Sequence, residues 1–136
     1  MPQESNRVAF VVNALTGLEL RAGNVDVSRV YTLLLRSDLG RCSPHSPKPN
    51  HDCKSREEFW SLLGPVLASW RSQDRLIFYF SGHGAFRRGL YCLKVGASNR
   101  DYLLFKSLMN DLEAAGVAFF FWSAMDCSWR SVECRT

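Results

Sequence analysis

A chain of 136 residues is one domain at most, since single domains commonly run ~100–200 residues. Its 46% hydrophobic and 22% charged content excludes a disordered, collagen-like or coiled-coil chain. Seventeen basic and thirteen acidic side chains leave a net charge of +4, scattered along the chain, which permits an anionic partner but requires no direct nucleic-acid contact.

In chain order, the opening MPQESNR has Glu4 close to Arg7, and Asn13 breaks the apolar stretch behind it, a poor match to a signal peptide. Residues 7–12 (RVAFVV) have the apolar, β-rich pattern of a strand buried on both faces of a parallel sheet. The segment 17–26 (GLELRAGNVD) reads as a loop. Residues 27–35 read as a helix, capped by Asp26 or Ser28, with Val27, Val30, Tyr31 and Leu34 at helical spacing. Residues 40–56, rich in Pro, Ser and basic side chains, read as an exposed loop. Ser55 followed by Glu58 resembles a capping box, opening a helix to about residue 69 with Phe59, Leu62, Leu63, Val66 and Trp70 on one stripe. Asp74 leads into a strand over 76–80, and 90–95 predicts a third, short strand. A helix over 103–115 is closed by Gly116, and 117–122 is another buried strand. The apolar run 114–125 that contains it is interrupted by Gly116 and Ser123 and is too short to span a bilayer.

This order implies a mostly parallel sheet flanked by helices with right-handed crossovers. Functional groups in such folds gather in loops at the carboxyl ends of the strands. Two segments stand there: Ser81-Gly82-His83-Gly84 after one strand, and Ser123-Ala124-Met125-Asp126-Cys127 after another. If the strands are neighbours, both loops meet in one crevice. A histidine between glycines suits a general base or acid, while its plainer reading is a loop residue with a backbone hydrogen bond. Five cysteines, without C-x-x-C or metal-ligand spacing, argue against a disulfide framework or a metal site and for a reducing, cytoplasmic setting.

RLIFYFSGHG resembles the histidine motif of the caspase-like cysteine peptidases, the clan of caspases, metacaspases, separase and the bacterial CHAT proteins. NRVAFVVNA is similar to that clan's first strand, and LELRAGNVDVSRVYTLLL to the loop and helix after it. LLFKSLMNDLEAAGVAFFFWSA is similar to the helix and strand leading to the nucleophile, so the likeness covers about residues 7–128. The resemblance implies an α/β three-layer sandwich, with helices on both faces of a mostly parallel sheet, incomplete without a small subunit. It also implies that this chain is the large-subunit portion, with 124–136 leading to a processing site near Arg135 or Thr136 and the small subunit on a separate chain.

The activity it implies is endopeptidase hydrolysis of protein or peptide substrates through a thioester, with no cofactor and with His83 shuttling the proton. The backbone N–H groups of Gly84 and of the nucleophile residue would form the oxyanion hole, each donor contributing about 3–4 kcal/mol. The nucleophile departs from the pattern. The family register places Ala124 where Cys is expected, and alanine has no nucleophilic atom. Either Ala124 replaces a natural Cys, or the protein is a pseudo-enzyme, or the register runs three residues further to Cys127. The plainer reading of Cys127, and more so of Cys42, Cys53, Cys92 and Cys134, is a small inert thiol.

For substrate binding, Arg21 falls where caspases clasp an aspartate, which a guanidinium grips with two hydrogen bonds. Asp26 falls near the acidic group by which metacaspases select Arg or Lys, and Ser81 lies beside the histidine. Plainer roles are a solvated charge for Arg21 and a helix cap for Asp26. The family's biology points to cell death or bacterial anti-phage defence under a sensor or regulator. The rival reading is a catalytically inactive caspase-like scaffold that binds partners, which Ala124 favours. A third reading, a nucleotide-binding module, is weak because no phosphate-binding glycine motif follows a strand.

Overall fold

The computed structural model describes residues 7–15, 19–71, 74–96, 101–116 and 118–124, the last of these by backbone. Its centre is built from apolar runs rich in β-branched and aromatic residues, which suit a pleated surface covered on both sides. β1 (Arg7–Asn13) pairs in parallel with β2 (Arg75–Ser81), which pairs in parallel with β6 (Ala118–Ala124), giving the order β1-β2-β6. Asn13, Ser81 and Ala124 stand opposite one another at the carboxyl ends of the three strands.

Alternation along the strands sends side chains to two separate cores. On one face Phe10 and Val12 of β1 and Leu76, Phe78 and Phe80 of β2 pack with α2 (Arg56–Ala68) through Phe59, Leu63 and Val66. α3 (Phe105–Ala114) joins them through Leu108 and Leu112. The Phe10 ring meets Phe78 edge-on at 5.3 Å and Phe59 at 5.9 Å, contacts each contributing about 0.5–1.5 kcal/mol beyond area burial. On the other face Ala9, Val11, Ile77 and Tyr79 pack against Val27, Val30, Tyr31 and Leu34 of α1 (Leu20–Leu35). Helices therefore cover both faces of the parallel sheet.

Beside this sheet lies an antiparallel one, β3 (Gly84–Arg87), β4 (Leu90–Lys94) and β5 (Tyr102–Leu104), in that order. The short strand expected over 90–95 thus belongs to a second sheet, and its two partners were not foreseen. Arg88 and Gly89 join β3 to β4 with φ of 53° and 77°, the twisted two-residue turn that matches hairpin strands. Arginine is an unusual choice for that backbone, which hides the hairpin from a sequence reading.

Four further expectations are corrected. α1 starts at Leu20, not residue 27, so 20–26 is helix and neither Asp26 nor Ser28 is its cap. Gly23 and Asn24 read as loop residues, yet Gly23 is buried where the helix crosses Asn13, and a Cβ there would run into the Asn13 side chain. The segment 40–56 is not simply exposed, since Cys42, Ser46 and Cys53 are buried. It lies along the outer edge of β1 and satisfies that strand's backbone, which would otherwise stay unpaired. Ala9 N–H donates to Ser46 Oγ (3.0 Å), Asn50 N–H to Val11 O (2.9 Å) and Asn13 N–H to Asn50 O (2.9 Å). Finally, β6 runs through Ser123 and Ala124 rather than ending at residue 122, and α3 begins at Phe105 because 102–104 is spent on β5.

The capping of α2 follows its sequence signature. Glu58 N–H donates to Ser55 Oγ (3.1 Å), and Lys54 N–H donates to Glu58 Oε2 (2.9 Å), one residue earlier than the usual reciprocal bond. Gly116, at φ 75°, closes α3 as expected. Among the described residues no helix is long and apolar enough to cross a membrane.

Candidate functional site

The carboxyl end of β2 is where backbone and side-chain polarity concentrates. Ser81 is buried, and its carbonyl accepts from Ala14 N–H (2.7 Å), tying the exits of β1 and β2 together. At Gly82 the chain passes so close to the Phe80 ring that a Cβ would sit 2.6 Å from it. Glycine is therefore required by packing immediately before the histidine. Lys94 N–H donates to His83 O (2.9 Å), which makes His83 and Lys94 a hydrogen-bonded cross-strand pair. Bonded and non-bonded pairs alternate along an antiparallel ladder, so Gly84, opposite Leu93, turns its N–H away from β4.

The His83 side chain is 13% exposed, and its Nε2 lies 2.7 Å from Glu19 Oε2, an ion-pair geometry between residues 64 positions apart. Glu19 immediately precedes α1 and is itself positioned from below. Asn13, fully buried at the end of β1, directs its Nδ2 at Leu20 O (3.0 Å), Asn24 Oδ1 (2.8 Å) and His51 O (3.2 Å). Two hydrogens serve three acceptors there, so the amide shares its donors. Its Oδ1 accepts from Leu15 N–H (3.0 Å), and its carbonyl accepts from Cys53 N–H (2.9 Å). One buried amide thereby holds the start of α1, the segment 50–53 and the β1 exit.

The predicted residues divide. His83, Gly84 and Ser81 meet at the sheet's carboxyl end, with the backbone of Ala124 paired to Ser81. Arg21 and Asp26 are both exposed on α1. With about 100° of turn per residue, Arg21 points away from the sheet because Gly23, two residues on, faces it. Asp26 lies about 10 Å along the helix axis from Glu19. It is close enough to Tyr79 that its charge adds to the effect of burial in raising the Tyr79 pKa. Cys127 lies outside the described residues, as does Cys134.

The three described cysteines are buried and unpaired by disulfides. Burial pushes the Cys53 thiol up to about 12, helped by the charge of Glu58. Burial also raises Cys42 and Cys92, with Arg7 and Arg87 partly offsetting it. A thiol held protonated is a poor nucleophile. Among the described residues no cluster of His, Cys, Asp and Glu could hold a metal ion.

Asn13 and Glu19 escaped the sequence reading. The available signal was that Glu19 is the first carboxylate after the first strand, on the side where a parallel sheet gathers its site. No protein-family model matches the chain, and no curated protein matches it.

Proposed function

We propose that this chain carries the Cys/His dyad of a caspase-like cysteine endopeptidase, with Cys127 as nucleophile, His83 as base and acid, and the Gly84 N–H as an oxyanion donor. The observation that carries the reading is the parallel pairing of β2 with β6, Ser81 opposite Ala124. The chain leaving β2 reaches His83 two residues later, and the chain leaving β6 reaches Cys127 three residues later. Extension of β6 through Ala124 favours a nucleophile beyond that position, and the buried, raised-pKa thiols of Cys42, Cys53 and Cys92 leave the role to a cysteine after it. The parallel sheet with helices on both faces supports the caspase-like sandwich as its frame.

In this reading the Cys127 thiol loses its proton to His83 as sulfur attacks the peptide carbonyl carbon. The oxyanion forms against backbone N–H donors at Gly84 and the nucleophile. His83 then protonates the leaving amine, and water, deprotonated by the same ring, hydrolyses the thioester. Substrates are proteins or peptides, and the physiological setting is a processed protease, paired with a small subunit, in cell death or bacterial defence.

A second reading, a non-catalytic binding scaffold, is favoured by Ala124 at the family's nucleophile register. Turnover of peptides ending in Asp, Arg or Lys separates the two. Cleavage by the chain that is lost in Cys127→Ala, and falls by about 10²–10⁴ in His83→Ala, supports the dyad. Cleavage by Ala124→Cys alone moves the nucleophile to that position. No cleavage by either form together with its complete partner chain, and no effect of His83→Ala, leaves the scaffold.

A further inference from the structure

The contact between Glu19 and His83 has no part in a bare Cys/His dyad. An ionised carboxylate offers acceptors alone, so a hydrogen bond between Glu19 Oε2 and His83 Nε2 requires the ring proton on Nε2. In the neutral imidazole the lone pair then belongs to Nδ1. Glu19 is half exposed, but both partners are anchored through their backbone surroundings. His83 is held at its carbonyl by Lys94 and is mostly covered, and Glu19 stands beside Leu20, whose carbonyl is fixed by the fully buried Asn13. Gly23 lets α1 approach Asn13 closely enough for that bond to form. The whole chain of support runs from the β1 terminus, through the first turn of α1, to the ring at the β2 terminus.

We propose that Glu19 is the positioning residue of His83, selecting the Nε2–H tautomer and presenting Nδ1 to the reacting atoms. This inference rests on the peptidase reading for its chemistry. During attack the thiol proton passes to Nδ1 and the S–C bond forms. The ring is then an imidazolium that still donates Nε2–H to Glu19, whose negative charge balances it. When the C–N bond breaks, the Nδ1 proton leaves with the amine and the ring returns to its starting tautomer. Water repeats the sequence on the thioester, so protons balance over the cycle.

The test uses the full chain labelled with ¹⁵N histidine and needs no substrate. The expected spectrum of the neutral ring has His83 protonated at Nε2 and bare at Nδ1, with a downfield Nε2 proton that disappears in Glu19→Ala. Glu19→Gln, nearly the same shape, guards against misfolding and should restore part of that signal through its amide oxygen. In turnover, Glu19→Ala should lower kcat by roughly 10²-fold, the scale of a misplaced catalytic group, with little change in KM. A neutral ring protonated at Nδ1, or a downfield proton unchanged in Glu19→Ala, would overturn the assignment. Because the spectrum is read without substrate, the expected ring signal with no peptide cleavage supports the placement of the ring and counts against the peptidase reading alone.

Discussion

The two ends of β2 are built differently. At its amino end the buried Asp74 accepts from Arg71 N–H (3.0 Å), pairs with the Arg71 guanidinium at 3.7 Å, and has its carbonyl bonded by Arg75 (3.1 Å). Each of these partners lies within three residues, so together they shape a turn into the strand. At the carboxyl end Ala14 bonds Ser81, Lys94 bonds His83, and Glu19 meets the His83 ring. These partners come from three separate parts of the chain: the β1 exit, β4 and the residue before α1. Local bonds hold a turn, whereas long-range bonds converging on one strand end assemble a site. One cleft follows the other rule. About 450 Å³ in volume, it opens near Asp74, lined by Val8, Pro65 and Trp70, and includes none of the candidate site residues. Chemistry, rather than concavity, distinguishes the two ends.

Substitutions at the two ends should break or sharpen this contrast. The largest effect is expected for Asn13→Ala, which deprives several buried or half-buried backbone and side-chain groups of their partner at once. A loss of about 1–3 kcal/mol per orphaned buried group predicts a large fall in unfolding free energy, read by urea denaturation, together with loss of the His83 Nε2–H signal. Gly23→Ala should cost about 1–3 kcal/mol by forcing α1 off Asn13, and should also disturb the Glu19 contact. Asp74→Ala should lower stability by a similar or smaller amount, about 1–3 kcal/mol, yet leave the histidine spectrum unchanged. If it shifted that spectrum as Asn13→Ala does, the contrast between the two ends would fail.

A further effect is a dependence on pH, felt only in the alkaline range. The folded state holds the Cys53 proton up to about 12, against an ordinary value of 9.0. Between those values the folded chain binds more protons than the unfolded one, so stability declines as pH rises from about 9 towards 12. Cys53→Ser should flatten that decline in thermal melts taken across the range. An unaltered slope would assign it to other groups.

Legibility in the sequence followed the same division between local and long-range order. β1, β2 and the α2 cap could be read directly, because apolar runs and a Ser-x-x-Glu spacing are local signals. The first two turns of α1 could not, because Gly23 and Asn24 are there to meet Asn13, a contact between elements rather than a propensity. The buried part of 40–56 was hidden for a related reason: it is shaped by the open edge of β1, not by its own composition. β3 and β5 are short and joined to β4 without a strong turn signal. His83 was visible from its place after an apolar strand between two glycines, whereas Glu19 depends on a pairing across 64 positions that no local pattern announces.

The central claim, a reactive thiol served by His83, is tested most directly by treating the chain with a peptide electrophile and mapping the adduct by mass spectrometry. The account predicts one adduct, on Cys127, that fails to form in His83→Ala, while the buried Cys42, Cys53 and Cys92 stay unmodified. An adduct on one of those three, or labelling undiminished in His83→Ala, would contradict it.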